Sequence, residues 1–383
     1  MNKGITHNTS NVKHNTFIHS RIGIIVIAIF LSVGCYAQSD NTFFHSSWFH
    51  FVPYGASLYA DEHPYFFRCD MSATTPHPEY DYAGTQTRYK MHIYGLFGAN
   101  INVWDGSFDY GRFGLSVAQT ASANLWMDLL ETSTSPVVNT DFRIGVPTVT
   151  FIHRTKKAFL RNYSIAFSPF MHESTHIGDE LVLQRADSKK MLRRVNVSYN
   201  YAFLALTINE PEDRYTMTHT FRFGLMVLLN PREGWYFVES RDGEVNALPS
   251  DKPVETSAHG YQKRYGPSRM PIEMYLQYQF QSPCSRHGFQ AVASAEIRNR
   301  ALYAYSLNET MPASGTVEPR YTDGDRRRFT YNIFVGARYN MPNYDGYFSR
   351  FAVGIRAYHG NCPYGMFRSV DNFSHVGLCI IYQ

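Results

Sequence analysis

The feature that most constrains this chain is a strict alternation of apolar and polar residues. Between Phe329 and Asn340 every odd-numbered residue is apolar and most even-numbered residues are polar. A period of two is typical of a β-strand that has two unlike faces. The same alternation recurs in residues 195–206, 215–229, 272–281 and 289–298. The sequence therefore predicts an all-β fold.

Twelve segments of the chain qualify as strands, and most are as long as the ~9–11 residues with which a β-strand crosses a bilayer. An even number of long strands, with no amphipathic helix among them, is typical of membrane barrels. We predict an antiparallel up-and-down transmembrane β-barrel of about 12 strands. The predicted strands are 88–103, 113–127, 141–154, 161–174, 195–208, 215–229, 233–240, 270–281, 288–299, 328–340, 350–358 and 375–382.

A soluble exported β-protein is the alternative, and the residues of the polar face distinguish the two. A water-exposed face would be rich in Lys and Glu, whereas these positions are mostly Ser, Thr, Asn, Gln and Gly. Charged residues make up 18% of the chain and aromatic residues 16%, against ~25% charged residues in an average domain. Tyr and Phe lie near strand ends, as in the interfacial girdles of barrels. These features favour the membrane barrel.

The N-terminus carries an apolar run from Ile22 to Val33, which is shorter than the ~20 residues of a membrane-spanning helix. Basic residues precede the run and Ala37 follows it, as in a cleaved secretory signal. We predict a signal peptide at 1–37, a periplasmic extension or plug-like cap at 38–87, and the barrel at 88–383. A lipid anchor on Cys35 is the alternative.

Export and charge limit the partners of the chain. The formal net charge is +4, and loss of Lys3, Lys13 and Arg21 with the signal brings it close to zero. No basic excess remains to bind nucleic acid. The expected partners are outer-membrane lipids and the barrel-assembly machinery; no cofactor is expected, and the sequence identifies no small-molecule ligand. Cys362 and Cys379 form either a disulfide or two free thiols.

The densest group of reactive side chains lies between His172 and Glu180. His172, Ser174 and His176 alternate, so a strand would place all three on one face. The His-x-Ser pair resembles outer-membrane phospholipases and lipid A deacylases, which use the same spacing with an acid or amide from a neighbouring strand. That resemblance implies His172, Ser174 and Glu180 as candidate catalytic residues.

Strand parity argues against that activity. The apolar residues Tyr163 and Phe167 mark the lipid side of this strand, so 172, 174 and 176 would face the lumen unless a bulge intervenes. We therefore expect His172 and His176 to contact Glu or Arg side chains inside the barrel. We expect Asp179 and Glu180 to lie at a strand end.

The same group also contains ligands for a metal ion. His172, His176, Asp179 and Glu180 carry imidazoles and carboxylates, and the motif HESTH is loosely similar to the zinc-protease motif HExxH. That motif requires a helix to bring its two histidines together, whereas this segment alternates as a strand. We predict no metal site.

Charged residues on the polar faces form a second candidate set. They line either a polar pathway or cross-strand ion pairs that fill a narrow lumen, and the size of the barrel favours the second interpretation. The set comprises Arg222, Glu273, Glu296, Arg298, Arg338 and Arg356.

Three segments together resemble the bacterial domain-of-unknown-function family 1207. They are Tyr59-Ala60-Asp61 with Pro64, His172–Glu180, and His359–Phe367. The resemblance implies an exported, barrel-like protein and no particular reaction. The sequence thus predicts an outer-membrane barrel that is non-enzymatic, as a pore, binder or structural protein. The alternative is a lipid hydrolase that uses Ser174 with His172.

Overall fold

The computed structural model describes residues 44–50, 58–62, 64, 66–76, 90–129, 135–155, 157, 160–178, 192–210, 216–229, 232–238, 240–241, 244–245, 272–285, 288–300, 328–342, 348–364 and 372–382.

All regular elements among these residues are strands, as the alternating sequence predicts. They are β1 (Phe44–His50), β2 (Phe67–Thr74), β3 (Lys90–Phe108), β4 (Phe113–Asp128), β5 (Val137–Gly145), β6 (Thr148–Arg154), β7 (Asn162–Ile177), β8 (Leu192–Ile208), β9 (Thr218–Leu228), β10 (Arg232–Val238), β11 (Ser240–Arg241), β12 (Glu244–Val245), β13 (Ile272–Gln281), β14 (Phe289–Arg300), β15 (Arg328–Pro342), β16 (Phe348–Gly360) and β17 (Phe373–Tyr382).

The strands form a closed antiparallel barrel of 12 wall strands, so the predicted fold class is confirmed. The strands β5 and β6 are two halves of one wall strand, because both pair with β4 and with β7. Closure comes from β17, whose Tyr382 pairs with Phe67 of β2. The barrel leaves no open edge in this ring, which is the condition for placing a sheet in lipid.

The membership of the wall differs from the prediction in two places. Strands β1 and β2 both pair with β3 on the side away from β4 and so occupy one wall position, and β2 also pairs with β17, so the barrel begins before residue 88. The predicted strand 233–240 corresponds to β10, which pairs with the first residues of β8 and lies off the ring. The count is right because these two differences cancel.

The same two differences explain where the connections lie. Because adjacent wall strands are antiparallel, connections alternate between the two ends of the barrel. With β2 in the wall and β10 outside it, the connections from β7 to β8, from β9 to β13 and from β14 to β15 all leave and re-enter the wall at one end, which we call the long-loop end. The turn 109–112 and the C-terminal end of β17 lie at the other, short-turn end.

The two faces of the wall have opposite chemistry. In β4, for example, every second residue is buried along the whole strand, and the buried set is Ser, Thr, Asn and Asp with few apolar residues. Large apolar side chains are exposed on the outside of β9, β13, β15 and β16. Among the described residues we find no helix of the length and apolar character needed to cross a membrane.

The segment Leu58–Glu62 lies inside the barrel. Its Tyr59 and Ala60 amides donate hydrogen bonds to Gln279 Oε1 (2.9 Å) and Ser294 Oγ (3.1 Å). The Ala60 carbonyl accepts one from Asn332 Nδ2 at 2.7 Å. These bonds tie a buried piece of the N-terminal region to the inner wall, so this part of the lumen is filled by protein.

The predicted lumenal charges all lie buried on inner faces. Arg298 Nε lies 2.9 Å from Glu296 and 3.5 Å from Glu62 of the inserted segment, and its Nη1 lies 3.9 Å from Glu273. The remaining arginines donate hydrogen bonds to side chains of other strands. Arg222 donates to Thr207 at 2.9 Å, Arg338 to Gln290 at 3.0 Å and Arg356 to Asp70 at 2.6 Å.

Candidate functional site

The site begins with an irregularity in strand β7. From Asn162 to Ser168 the even-numbered residues are buried, whereas from Met171 to Thr175 the odd-numbered residues are buried. The register with β8 shifts between Ser168 and Met171, where one extra residue forms a β-bulge. The alternation of inner and outer faces therefore changes parity halfway along the strand.

This change reverses the predicted orientation of the reactive cluster. His172, Ser174 and His176 lie on the outer face, where His172 and Ser174 are half-buried and His176 is exposed. The expectation that His172 and His176 contact lumenal charges is therefore wrong. The reason is the bulge, which the unbroken alternation of Tyr163, Ile165 and Phe167 does not reveal.

The histidine has a polar partner on the next strand. His172 and Asn200 are directly opposite each other on β7 and β8, and His172 Nδ1 lies 2.8 Å from Asn200 Oδ1. Since an amide oxygen only accepts, this bond places the ring proton on Nδ1 and leaves Nε2 as the basic nitrogen.

The serine lies next to the histidine on the same face. Ser174 is two residues beyond His172, which corresponds to ~6.6 Å between their α-carbons along a strand. A hydrogen bond between them requires the imidazole and the hydroxymethyl group to lean toward each other. A hydroxyl, a base and a group that orients the base are the components of a serine nucleophile.

The intervening acid faces the other way. Glu173 is buried inside the wall, where its carboxylate lies 2.9 Å from Arg143 Nε of β5. Thr175, also inward, donates a hydrogen bond to Asn139 at 3.0 Å. The orienting partner of His172 is thus an amide, and Glu173 serves the interior. The candidate acid Glu180, with Asp179, lies outside the described residues.

The outer face beside the cluster is apolar on its β5 side. Phe142 is directly opposite Ser174, and Ile144 is opposite His172. The His176 ring lies 6.2 Å from the Phe142 ring, centroid to centroid. His176 therefore contacts an outward aromatic residue, where a lumenal partner was predicted.

The described part of the chain contains no group of three or more His, Cys, Asp or Glu residues placed to hold a metal ion. The segment HESTH is a strand, so its histidines at 172 and 176 are four strand residues apart instead of one helical turn. The four cysteines among the described residues, including Cys362 and Cys379, are free thiols.

Sequence reasoning missed Asn200 as a member of this site. The alternation of residues 195–206 predicts Tyr201 and Ala205 on the lipid side and Asn200 on the inner side. This orientation is wrong, because Tyr201 and Ala205 point inward and Leu204 and Leu206 outward. The available signal was an amide on the strand that follows His-x-Ser.

Together these observations define a class: a transmembrane-type β-barrel that presents a candidate Ser-His-Asn triad on its outer face. Comparisons with solved structures give matches of low identity. The chain is similar to the outer membrane phospholipase A of Escherichia coli (13% identity, 87% of this chain and 94% of that chain, TM-score 0.39). A Salmonella typhi outer membrane phospholipase dimer with bound calcium gives 13% identity over 83% and 90%, with a TM-score of 0.38.

A third similar structure is the translocator domain of the autotransporter NalP from Neisseria meningitidis, with 8% identity over 96% and 95% of the two chains and a TM-score of 0.35. Identities and TM-scores this low carry no argument about activity. No family model matches the chain, and no curated protein matches it. The resemblance to family 1207 stays a prediction.

Proposed function

We propose that this protein is an outer-membrane acyl hydrolase that cleaves carboxylic esters of membrane lipids. Ser174 is the nucleophile, His172 the general base and Asn200 the residue that orients the base. The observation that carries the proposal is the 2.8 Å hydrogen bond between His172 Nδ1 and Asn200 Oδ1 on the face that also presents Ser174. An isolated polar group on a lipid-facing surface is costly, so a bonded His-Asn pair beside a serine favours a catalytic role.

The proposed reaction proceeds in two halves. The Ser174 proton passes to His172 Nε2 while Oγ bonds to the ester carbonyl carbon. The tetrahedral intermediate then breaks its bond to the lipid alcohol, which leaves with the proton from Nε2. Water repeats the sequence on the acyl-enzyme and releases the fatty acid. Asn200 accepts from Nδ1–H throughout and stabilises the ring orientation.

The position of the triad supports a lipid as the substrate. Its side chains project outward, beside Phe142 and Ile144, so the ester of a lipid in the surrounding leaflet reaches Ser174 without entering the barrel. A pore is one of the three non-enzymatic roles that the sequence predicts, beside a binder and a structural protein. The Leu58–Glu62 segment argues against a pore, because it is buried and hydrogen-bonded within the lumen.

The proposal is tested with Ser174→Ala in purified, detergent-folded protein. We expect hydrolysis of a diacyl phospholipid to fall at least ~10³-fold, with the unfolding midpoint unchanged. Ser72→Ala is the matched control, since the Ser72 hydroxyl is buried in the wall and has no hydrogen-bond partner among the described residues. An inactive parent protein, together with a lower melting temperature for Ser174→Ala, would instead assign the cluster a structural role.

A further inference from the structure

The outer wall carries an apolar ridge that lies closer to the middle of the barrel than the triad does. Strand β7 has its extra residue at Pro169–Phe170, and the neighbouring wall strand has one at Val146–Pro147, between β5 and β6. The two irregularities lie at the same level, because Gly145 pairs with Met171 on one side and Val149 with Phe167 on the other. All four residues of the paired bulge are exposed.

The paired bulge depends on specific local features. The Val146 amide donates to the Phe170 carbonyl at 3.0 Å. A Cβ on Gly145 would overlap the Met171 sulfur and the Phe170 carbonyl oxygen. On the outer face, Gln119 Nε2 donates to the Gly145 carbonyl at 2.8 Å, which satisfies a backbone group that the bulge removes from the regular ladder. Bulges re-aim side chains near functional sites, and this one is stabilised by two hydrogen bonds and by the absence of a side chain at Gly145.

The ridge and the triad share the same two strands. Phe170 is four residues before Ser174, or ~13 Å along the strand, toward the middle of the barrel wall. Ile144 and Phe142, with 57% and 47% of their surfaces exposed, line the path between them on the β5 side. A continuous apolar track therefore leads from the serine toward the bilayer centre and meets the ridge.

We propose that this track, ended by the ridge of Val146, Pro147, Pro169 and Phe170, is the binding site for the acyl chain of the lipid cleaved at Ser174. The inference rests on the proposed function and adds the substrate class, an ester of a long acyl chain. Lipid tails are as apolar as the wall, so shape selects the bound chain. A chain whose carbonyl is at Ser174 lies along Phe142 and Ile144 and packs its middle against Phe170.

The first test compares substrates of different chain length. In Phe170→Ala and Val146→Ala, we expect kcat/KM for a long-chain phospholipid to fall roughly three- to ten-fold, a range set by the weak packing energies within lipid. Hydrolysis of a short, water-soluble butyryl ester should change less than about two-fold, since that ester does not reach the ridge.

The opposite wall supplies matched controls. Phe351 and Val353 of β16 are 38% and 37% exposed, against 40% for Phe170 and 39% for Val146. Phe351→Ala and Val353→Ala should leave both activities unchanged. Equal loss of long-chain activity in the ridge and control variants would overturn the inference.

The second test does not require catalysis. The Ser174→Ala protein is reconstituted with a phospholipid that carries a photoreactive diazirine midway along one acyl chain, and crosslinks are mapped by mass spectrometry. We expect crosslinks at 146–147 and 169–170 in excess over 351–353. No excess, in an enzyme that hydrolyses esters, would overturn the subsite and leave the hydrolase in place. An excess in a chain whose parent hydrolyses no ester would overturn the hydrolase, and with it the role of the ridge in catalysis, and would leave the ridge as a lipid-binding surface.

Discussion

The two halves of strand β7 have similar polarity but opposite orientation. In the first half Ser164 and Ser168 are buried inside the barrel, and in the second half Glu173 and Thr175 take the inner positions while Ser174 lies outside. One extra residue at the bulge separates the halves. A serine is thus structural or chemically available according to a local register shift, and composition does not distinguish the two.

The largest expected effect is on the inner face of the second half. Arg143→Leu would leave Glu173, buried and 2.9 Å away, without its cation. Breaking a buried ion pair costs about 3–5 kcal/mol, which urea unfolding in detergent would detect as a lower midpoint with an unchanged slope. Arg112→Leu is the control, because Arg112 is an exposed residue 3.7 Å from Asp109, and such pairs contribute ~1 kcal/mol or less.

A substitution on the outer face of the same half should lower the hydrolytic activity and leave the stability nearly unchanged. Asn200→Ala removes the acceptor of His172 Nδ1, so the ring loses its preferred tautomer and orientation. We expect kcat to fall about 10²- to 10⁴-fold, with little change in the unfolding midpoint. Asn200→Asp keeps an acceptor oxygen and should recover part of the rate. If Asn200→Ala were fully active, the triad would be wrong even with Ser174 essential.

The sequence predicted the regular part of this molecule well. In β9, β13, β14 and β15 the outer face is mostly apolar and the inner face mostly polar, with Met226, Val292 and Phe334 as inward apolar exceptions, and the exposed faces are the predicted ones. Such strands have one orientation that keeps polar groups out of lipid. In β8 the predicted orientation is wrong, because Tyr201 points inward and Leu204 outward; both faces carry apolar residues there, so either orientation keeps apolar groups in lipid.

Features that depend on a partner strand could not be predicted in the same way. Strand β2 was predicted as part of the N-terminal extension. It buries Arg68 and Asp70, whose charges are compensated only when the barrel closes and Arg356 lies 2.6 Å from Asp70. The bulge of β7 is defined by its register with β8, and Pro169 was its main local sign. Asn200 joined the site only after both strands were oriented.

A smaller effect is expected where the two halves meet. Gly145→Ala introduces a Cβ that overlaps the Met171 sulfur and the Phe170 carbonyl, and crowding of this kind costs about 1–3 kcal/mol. Gly95→Ala on β3 is the matched control, because its Cβ would meet only a Phe97 ring carbon at 3.6 Å. Equal unfolding midpoints for the two variants would show that the close approach at the bulge does not matter for stability.

The smallest expected effect concerns the polar contact that accompanies the bulge. Gln119 donates to the Gly145 carbonyl at 2.8 Å on the lipid side, and side-chain hydrogen bonds within membranes average ~0.6 kcal/mol. Gln119→Leu should therefore lower the unfolding free energy by only about that amount.

The sharper measurement is a double-mutant cycle that combines Gln119→Leu with Gly145→Ala. If the glutamine stabilises the bulge, the two losses will be less than additive, because the second substitution acts on a bulge that the first has already disturbed. Strict additivity would mean that Gln119 stabilises the wall independently of the change in parity, and the orientation of Ser174 would then depend on Gly145 and the strand register alone.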